Sequence, residues 1–474
     1  MSGAELELAT LERLRPVASA QRLSVLLGAG ASAAAGLPDW DRLATELLRR
    51  GGIIDDEETA RAFLARQDAT LAAEAVRAGR DEADWVDLVR SALYPESLGE
   101  PEPAALHLAV ASLAARRPVG DVGLFTLNFD LLIERALLVA MDEVGTPEEV
   151  RIHIRGDEDS RAPRGDFEVQ HLHGFLGRTA EETGSIILTL SDFTALTAQQ
   201  TPWQVAALQE ALSHGPLLLA GTSYRDNDIR QWLHTLGLPD RRDKGFVLLA
   251  REGFGLSREQ FDRVKGALVA QWAAIGVTAV LVQDHSDAAQ AIRELSALSD
   301  PDYLDPRTRA SSLWSAVRSN FDQLQKDHSD RLAEDLNRLQ PFLGDDANIT
   351  LWLADGNGQI VRWSSHDRLY RKSEQLRSVP VGYDSPWIAG QCLGKSDPLA
   401  RDITDDTSTR RWRSVVASPC SPALPGGPPL ATAVLSSAAP TPLDDHDQDA
   451  WTDVLAQLSE EWAGRLEDIA VSLR

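Results

Sequence analysis

Five short apolar runs are spaced along the first three hundred positions, separated by helix-forming stretches rich in Ala, Leu, Glu and Arg. They are Arg22–Leu27, Gly123–Leu127, Pro216–Ala220, Gly245–Ala250 and Val277–Val282. A short run without polar alternation suits a strand buried on both faces, and strands separated by helices join as parallel βαβ units. The expected fold is therefore α/β, a doubly wound, mostly parallel Rossmann-like sheet over residues 1–303, entered through a helix at about 4–20.

A boundary is expected near Asp300–Pro306, where Asp and Pro cluster. From Thr308 to Leu343 the residues Leu313, Val317, Phe321, Leu324, His328, Leu332, Leu336 and Leu339 recur at helical spacing. That pattern fits an ordinary packed helix or a coiled connector for dimerisation, here taken as a helical connector over 304–344. Beyond it, Ile349–Ala354 and Ile360–Trp363 flank Asp355-Gly356-Asn357-Gly358, a hairpin signal. Further strands are expected at Arg413–Ser418 and Ala431–Ser436, and a closing helix carries Trp451, Leu455, Leu458, Trp462 and Leu466. Residues 345–474 thus read as a smaller α/β domain whose order of elements resembles a GAF domain, a sensory or assembly module. Pairing of the Thr308–Leu343 and Trp451–Leu473 helices across a homodimer is the preferred reading of their periodicity. Trp352, Trp363 and Trp387 could line a pocket, although core packing accounts for them as well.

A chain of 474 residues is too long for one core. Its net charge of −25 repels phosphate backbones and anionic lipid, so direct nucleic-acid or membrane-surface binding is not expected. The cysteines are Cys392 and Cys420, which form neither a disulfide framework nor a zinc-binding CxxC pair. They are a redox pair or, more simply, buried thiols. No run is long enough for a membrane span, and no basic leader precedes an apolar stretch, so a cytoplasmic location is expected.

The residues suited to chemistry fall at the ends of the expected strands. The first strand runs into Gly28-Ala29-Gly30-Ala31-Ser32-Ala33-Ala34-Ala35-Gly36. Glycines there let the backbone approach a pyrophosphate, and the next helix offers amide donors and its positive end. Gly36-Leu37-Pro38-Asp39-Trp40 follows directly. Thr126-Leu127-Asn128-Phe129-Asp130 closes the second run, His171-Leu172-His173-Gly174 comes next, and Gly221-Thr222-Ser223-Tyr224-Arg225-Asp226 closes the third. Each block has a plain alternative. A glycine turn can serve packing alone, a lone His-Gly is often structural, and Ser223 can be a turn residue. Asp130 and Asp226 can cap helices.

Taken in order, these blocks resemble the sirtuin (SIR2) superfamily over about 1–300. The resemblance implies NAD as substrate, while the missing CxxC pairs imply no metal. It places the phosphates on Gly28, Ala29, Gly30 and Ser32, and the nicotinamide side under the loop with Gly36 and Asp39. It places the adenosine portion near Gly221, Thr222, Ser223 and Asp226. Thr126 opens the TxNxD block. His173, next to the glycine, corresponds to the family's catalytic histidine, and His171 does not. Asn128 would hold a ribose hydroxyl or the attacking water, and Asp130 the nicotinamide ribose or carboxamide region. His173 would accept a proton from a ribose hydroxyl or from water.

Protein-deacylating sirtuins carry a four-cysteine zinc module that this sequence lacks. The Gly221–Asp226 block resembles instead the branch of bacterial and archaeal immune effectors, which hydrolyse NAD to nicotinamide and ADP-ribose upon phage infection. The leading expectation is a regulated NAD glycohydrolase that acts as a homo-oligomer and answers to a partner protein or phage trigger. Two alternatives stay open: a non-catalytic sensor of NAD or ADP-ribose, and a zinc-free NAD-dependent deacylase or ADP-ribosyltransferase.

Overall fold

In a computed structural model the described residues are 3–96, 98–199, 201–222, 227–238, 243–344, 346–403 and 411–472. They form two compact units. One comprises residues 16–249 and 263–280, and the other residues 1–15, 250–262 and 281–474.

The first unit is built on a seven-stranded parallel sheet flanked by helices. Its strands are β1 Leu23–Leu27, β2 Val122–Thr126, β3 Ile152–Arg155, β4 Phe167–His171, β5 Leu217–Ala220, β6 Gly245–Ala250 and β7 Val277–Val282. They lie in the order β3-β4-β2-β1-β5-β6-β7. All five residues of β1 are buried, as an apolar run between two helical layers requires. The five expected strands are all present. Two more, β3 and β4, extend one side of the sheet. Their sequences, Ile-His-Ile-Arg and Phe-Glu-Val-Gln-His, alternate apolar with polar and lack the continuous apolar run of the central strands.

Between β1 and β2 lie helices at Trp40–Arg50, Glu57–Leu64, Ala69–Arg77 and Glu82–Leu93. Each begins at an aspartate, namely Asp39, Asp56, Asp68 and Asp81, whose carboxylate accepts a backbone N–H in the first turn. Such a cap stabilises a helix by about 1 kcal/mol. Leu43, Leu47, Val76, Trp85 and Val89 make the core of this bundle, and Phe129 from the loop after β2 and Leu132 from the start of the helix Leu132–Val144 pack into it. Phe129 anchors that loop, which fixes the backbone carrying Asn128 and Asp130.

The second unit holds a six-stranded antiparallel sheet of β8 Asn348–Ala354, β9 Gln359–Ser365, β10 Ser378–Pro380, β11 Leu399–Asp402, β12 Ser414–Cys420 and β13 Ala433–Ala439. They lie in the order β10-β9-β8-β13-β12-β11. β8 and β9 form the hairpin expected around Asp355–Gly358. Both faces are covered. Ile349, Leu351 and Leu353 face the helices Phe321–Leu343 and Gln448–Val471, while Trp352 and Ala354 face the helix Ile388–Lys395. That explains why β8 and β13 are buried along their whole length. Trp352 and Trp363 are buried core residues, and the Trp387 ring packs beside Trp352. Cys392 and Cys420 are buried free thiols that burial pushes upward in pKa.

The single helix expected over Thr308–Leu343 is two, Pro306–Ser319 and Phe321–Leu343. They break at Asn320, whose side-chain amide donates to the Ala316 carbonyl at 3.1 Å and so competes with the helical pattern. Likewise the opening helix is a series of short turns from Gly3 to Ala18. Leu313, Val317, Leu332, Leu336, Leu339, Trp451 and Trp462 all lie in this unit's own core. Their apolar stripes pack within one chain. None of the described helices is long and apolar enough to cross a membrane.

Candidate functional site

Four neighbouring strands, β4-β2-β1-β5, each end in one of the blocks singled out by sequence. The register aligns those ends: Leu27 sits beside Thr126 and Ala220, and Thr126 beside His171. Gly28, Asn128, Gly221 and His173 therefore leave the same edge of the sheet. From β1 the chain moves to β2 on one side and, after β4, crosses to β5 on the other. In open α/β sheets the crevice beyond the strand ends at such a switch point is where ligands bind.

The backbones of the loops after β1 and β5 approach each other closely. A Cβ at Gly28 would fall 2.7 Å from the Gly221 carbonyl oxygen and 2.9 Å from Thr222 Cα. The Gly30 amide donates to that same carbonyl at 2.9 Å. This approach makes Gly28 and Gly221 a pair with a shared steric reason. Ala29 begins a helix of one turn, Ala29–Ala33, too short for the sizeable dipole that the sequence suggested.

Asn128 links the loops after β1 and β2. Its Nδ2 donates to the Gly28 carbonyl at 3.1 Å and to Ser32 Oγ at 2.7 Å. A carbonyl can only accept, so the amide is oriented with Oδ1 turned away as an acceptor. Thr126 Oγ1 accepts the Asn128 N–H at 3.0 Å, which holds the turn. Asp130 is buried and accepts the Leu132 N–H at 3.1 Å, the capping role expected as its plain alternative.

His171 is wholly enclosed. One ring nitrogen, Nδ1, pairs with the Asn128 carbonyl at 3.0 Å and Nε2 with Glu134 Oε1 at 2.7 Å. Burial alone would lower its pKa, but the Glu134 carboxylate and the Asn128 carbonyl raise it above the usual value. Its bonds describe a support for the Asn128 loop. His173, two residues on, packs between Phe193 at 5.5 Å and Trp232 at 5.6 Å and is 7% exposed. Gly174 has φ +84°, and a Cβ there would lie 1.4 Å from the Ser185 carbonyl oxygen, so this position admits only glycine.

The remaining sequence candidates are more dispersed. Gly36 and Asp39 are exposed, and the Asp39 carboxylate caps the helix Trp40–Arg50 through the Arg42 N–H at 2.8 Å. Thr222 follows the Gly221 turn. Ser223 and Asp226 lie outside the described residues. Glu134 and His107 escaped the sequence reading. His107, on the helix Ala105–Ala115, brings Nε2 within 3.4 Å of Ser32 Oγ, and its Nδ1 accepts the Ala104 N–H at 3.2 Å. Burial lowers its pKa and keeps it neutral. The available signal for both was a polar residue at a position where helical periodicity calls for an apolar one.

Among the described residues no cluster of three or more His, Cys, Asp or Glu side chains could hold a metal ion. A cleft of about 300 Å³ beside Leu48, Ile53, Phe63 and Leu71 lies on the helical bundle, apart from the four strand ends. Residues 122–279 match the family model described as a SIR2-like domain, which supports placement in the sirtuin-like superfamily. That span covers β2 through the first half of β7 and includes three of the four blocks, while Gly28–Gly36 precedes it. No curated protein matches the chain.

Proposed function

We propose that this protein is an NAD glycohydrolase that cleaves NAD to nicotinamide and ADP-ribose. SIR2-like domains use NAD, and the observation that carries the reading is the delivery of four blocks to one sheet edge by β4, β2, β1 and β5. Breaking the bond between ribose and nicotinamide leaves positive charge on the sugar, while nicotinamide departs as a neutral molecule. Water supplies the new C–O bond and releases one proton. The Asn128 Oδ1, fixed as an acceptor, suits a ribose hydroxyl or that water. The Asp130 carboxylate places negative charge in the same loop, where it opposes the developing charge. His173 is assigned the released proton. Gly28, Ala29, Gly30 and Ser32 would hold the phosphates; Gly36 and Asp39 would flank the nicotinamide side. Thr126 supports the catalytic turn. Gly221 and Thr222, with Ser223 and Asp226 beyond the described residues, would take the adenosine end.

We further propose that the activity is a regulated immune defence in the cytoplasm of a bacterium or archaeon. The second unit would then act as a GAF-like sensory module, and a homo-oligomer or a phage-derived trigger would release the enzyme. The SIR2-like domain within residues 1–303 would be the enzyme, and residues 304–474, the larger part of the second unit, the regulator. The test is NAD content in cells before and after induction, beside chromatographic detection of nicotinamide and ADP-ribose from purified protein. Asn128→Ala and His173→Ala should each lower turnover by about 10² to 10⁴. Steady NAD in induced, phage-challenged cells, together with no nicotinamide from any oligomeric form, would sink the reading.

A further inference from the structure

We infer that His107 is a positioning residue that turns the Ser32 hydroxyl into a donor aimed at the dinucleotide's phosphates. The inference rests on the NAD-binding reading above and adds a residue that lies outside the SIR2-like match.

The argument is a count of donors and acceptors. The Ala104 N–H can only donate, so His107 Nδ1 must accept it and carries no proton. A neutral imidazole then bears its hydrogen on Nε2, which faces Ser32 Oγ at 3.4 Å as a donor. From the other side Asn128 Nδ2 donates to the same oxygen at 2.7 Å. A hydroxyl has two lone pairs and one hydrogen. With both lone pairs taken, Ser32 has only its hydrogen left to offer, and its natural partner is an acceptor such as a phosphate oxygen.

The neighbouring amides sharpen the point. The Gly30 N–H is bonded to the Gly221 carbonyl and the Ala31 N–H to the Gly28 carbonyl, each at 2.9 Å. Those two donors of the glycine turn are engaged within the protein. The Ser32 hydroxyl is thus a donor whose direction the surrounding bonds leave set for a ligand. His107 sets it at a distance, through the tautomer fixed by its own helix start.

The test uses the full chain, with ADP-ribose as a probe that keeps the pyrophosphate and has no nicotinamide to lose. His107→Asn places an oxygen near the Nδ1 position, so it keeps the acceptor for Ala104 and loses the donor to Ser32. Its Kd for ADP-ribose, by calorimetry, should rise about 10-fold, the worth of one charge-assisted hydrogen bond. The KM for NAD should rise alike while kcat stays within about 2-fold, the signature of lost uniform binding. Ser32→Ala should lose as much, and the double variant no more than Ser32→Ala alone, because the two act through one bond. His107→Gln, whose amide reaches the Nε2 position, should recover most of the affinity. Selective ¹⁵N labelling of histidine should show His107 with its proton on Nε2.

Equal affinity of unmodified protein, His107→Asn and Ser32→Ala overturns the positioning role alone. So does full additivity in the double variant, or a proton found on Nδ1. Absence of ADP-ribose binding by the unmodified protein overturns the NAD reading and this inference with it.

Discussion

His328 lies in the helix Phe321–Leu343, its Nδ1 accepting the Trp363 indole N–H at 2.8 Å and its ring 5.0 Å from that of Trp462. It is buried, and burial lowers its pKa to about 4 from a usual value near 6.5. Asp327 opposes the shift and Arg465 adds to it. The folded unit therefore refuses a proton that the unfolded chain binds between pH 6.5 and about 4. Stability must fall as pH drops through that window, with the full loss reached below about 4. At about 1.4 kcal/mol per pH unit the loss is roughly 3 kcal/mol, a large share of the 5–15 typical of a domain. His328→Asn keeps an acceptor for Trp363 and cannot take up the proton. At pH 7 the variant should be weaker by about 1–2 kcal/mol, having lost ring contacts against Trp462. Near pH 4 it should match or exceed the parent. Urea unfolding followed by near-ultraviolet circular dichroism, repeated from pH 7 to 4, measures both curves. Asp335, whose pKa burial raises, is common to the two proteins and cancels in their difference. A stability gap that stays constant from pH 7 to pH 4 would refute the reasoning.

Two further outcomes follow from the same kind of geometry. Gly174→Ala forces a side chain into the Ser185 carbonyl at a left-handed backbone, and a loss above about 3 kcal/mol is expected; an unchanged melting temperature would contradict it. Asp384→Ala removes the carboxylate that grips the buried Arg251 guanidinium with two bonds of 2.8 Å, leaving it on the Tyr383 face and near Asp284. Since Asp284 compensates in part, the cost should be about 2 kcal/mol in denaturant unfolding, and a cost below about 0.5 would show the pair to be idle.

The central strands were legible because burial on both faces favours continuous apolar residues, which β5 and β6 supply and β1 interrupts at Ser24 alone. β3 and β4 were harder, since their polar alternation leaves no continuous run to read. In the second unit β10 has three residues and β11 four, too few for a period to show. The helix Ile388–Lys395 carries two glycines, Gly390 and Gly394, that argue against a helix until their packing is seen: a Cβ at Gly390 would meet Ser385, and one at Gly394 would meet Gly382. At the site, the glycine turn, Asn128, Asp130 and the His-Gly pair announce themselves by spacing. His107 and Glu134 do not, because their partners, Ser32 and His171, are 75 and 37 residues away and meet only when the sheet forms.

The second unit is assembled from residues 1–15, from 281–474 and from one piece of the middle, 250–262. Ala4, at the very start, is buried beside Leu430 and Val434, and the Arg307 guanidinium pairs with Glu7. On the ribosome the opening fifteen residues must wait for partners that are synthesised more than four hundred positions later. The parallel sheet, by contrast, has all its strands once Val282 has emerged. A chain of this design holds its parallel sheet complete well before its other unit can close. Clipping its first fifteen residues would injure the far end of the polypeptide rather than the sheet that follows them.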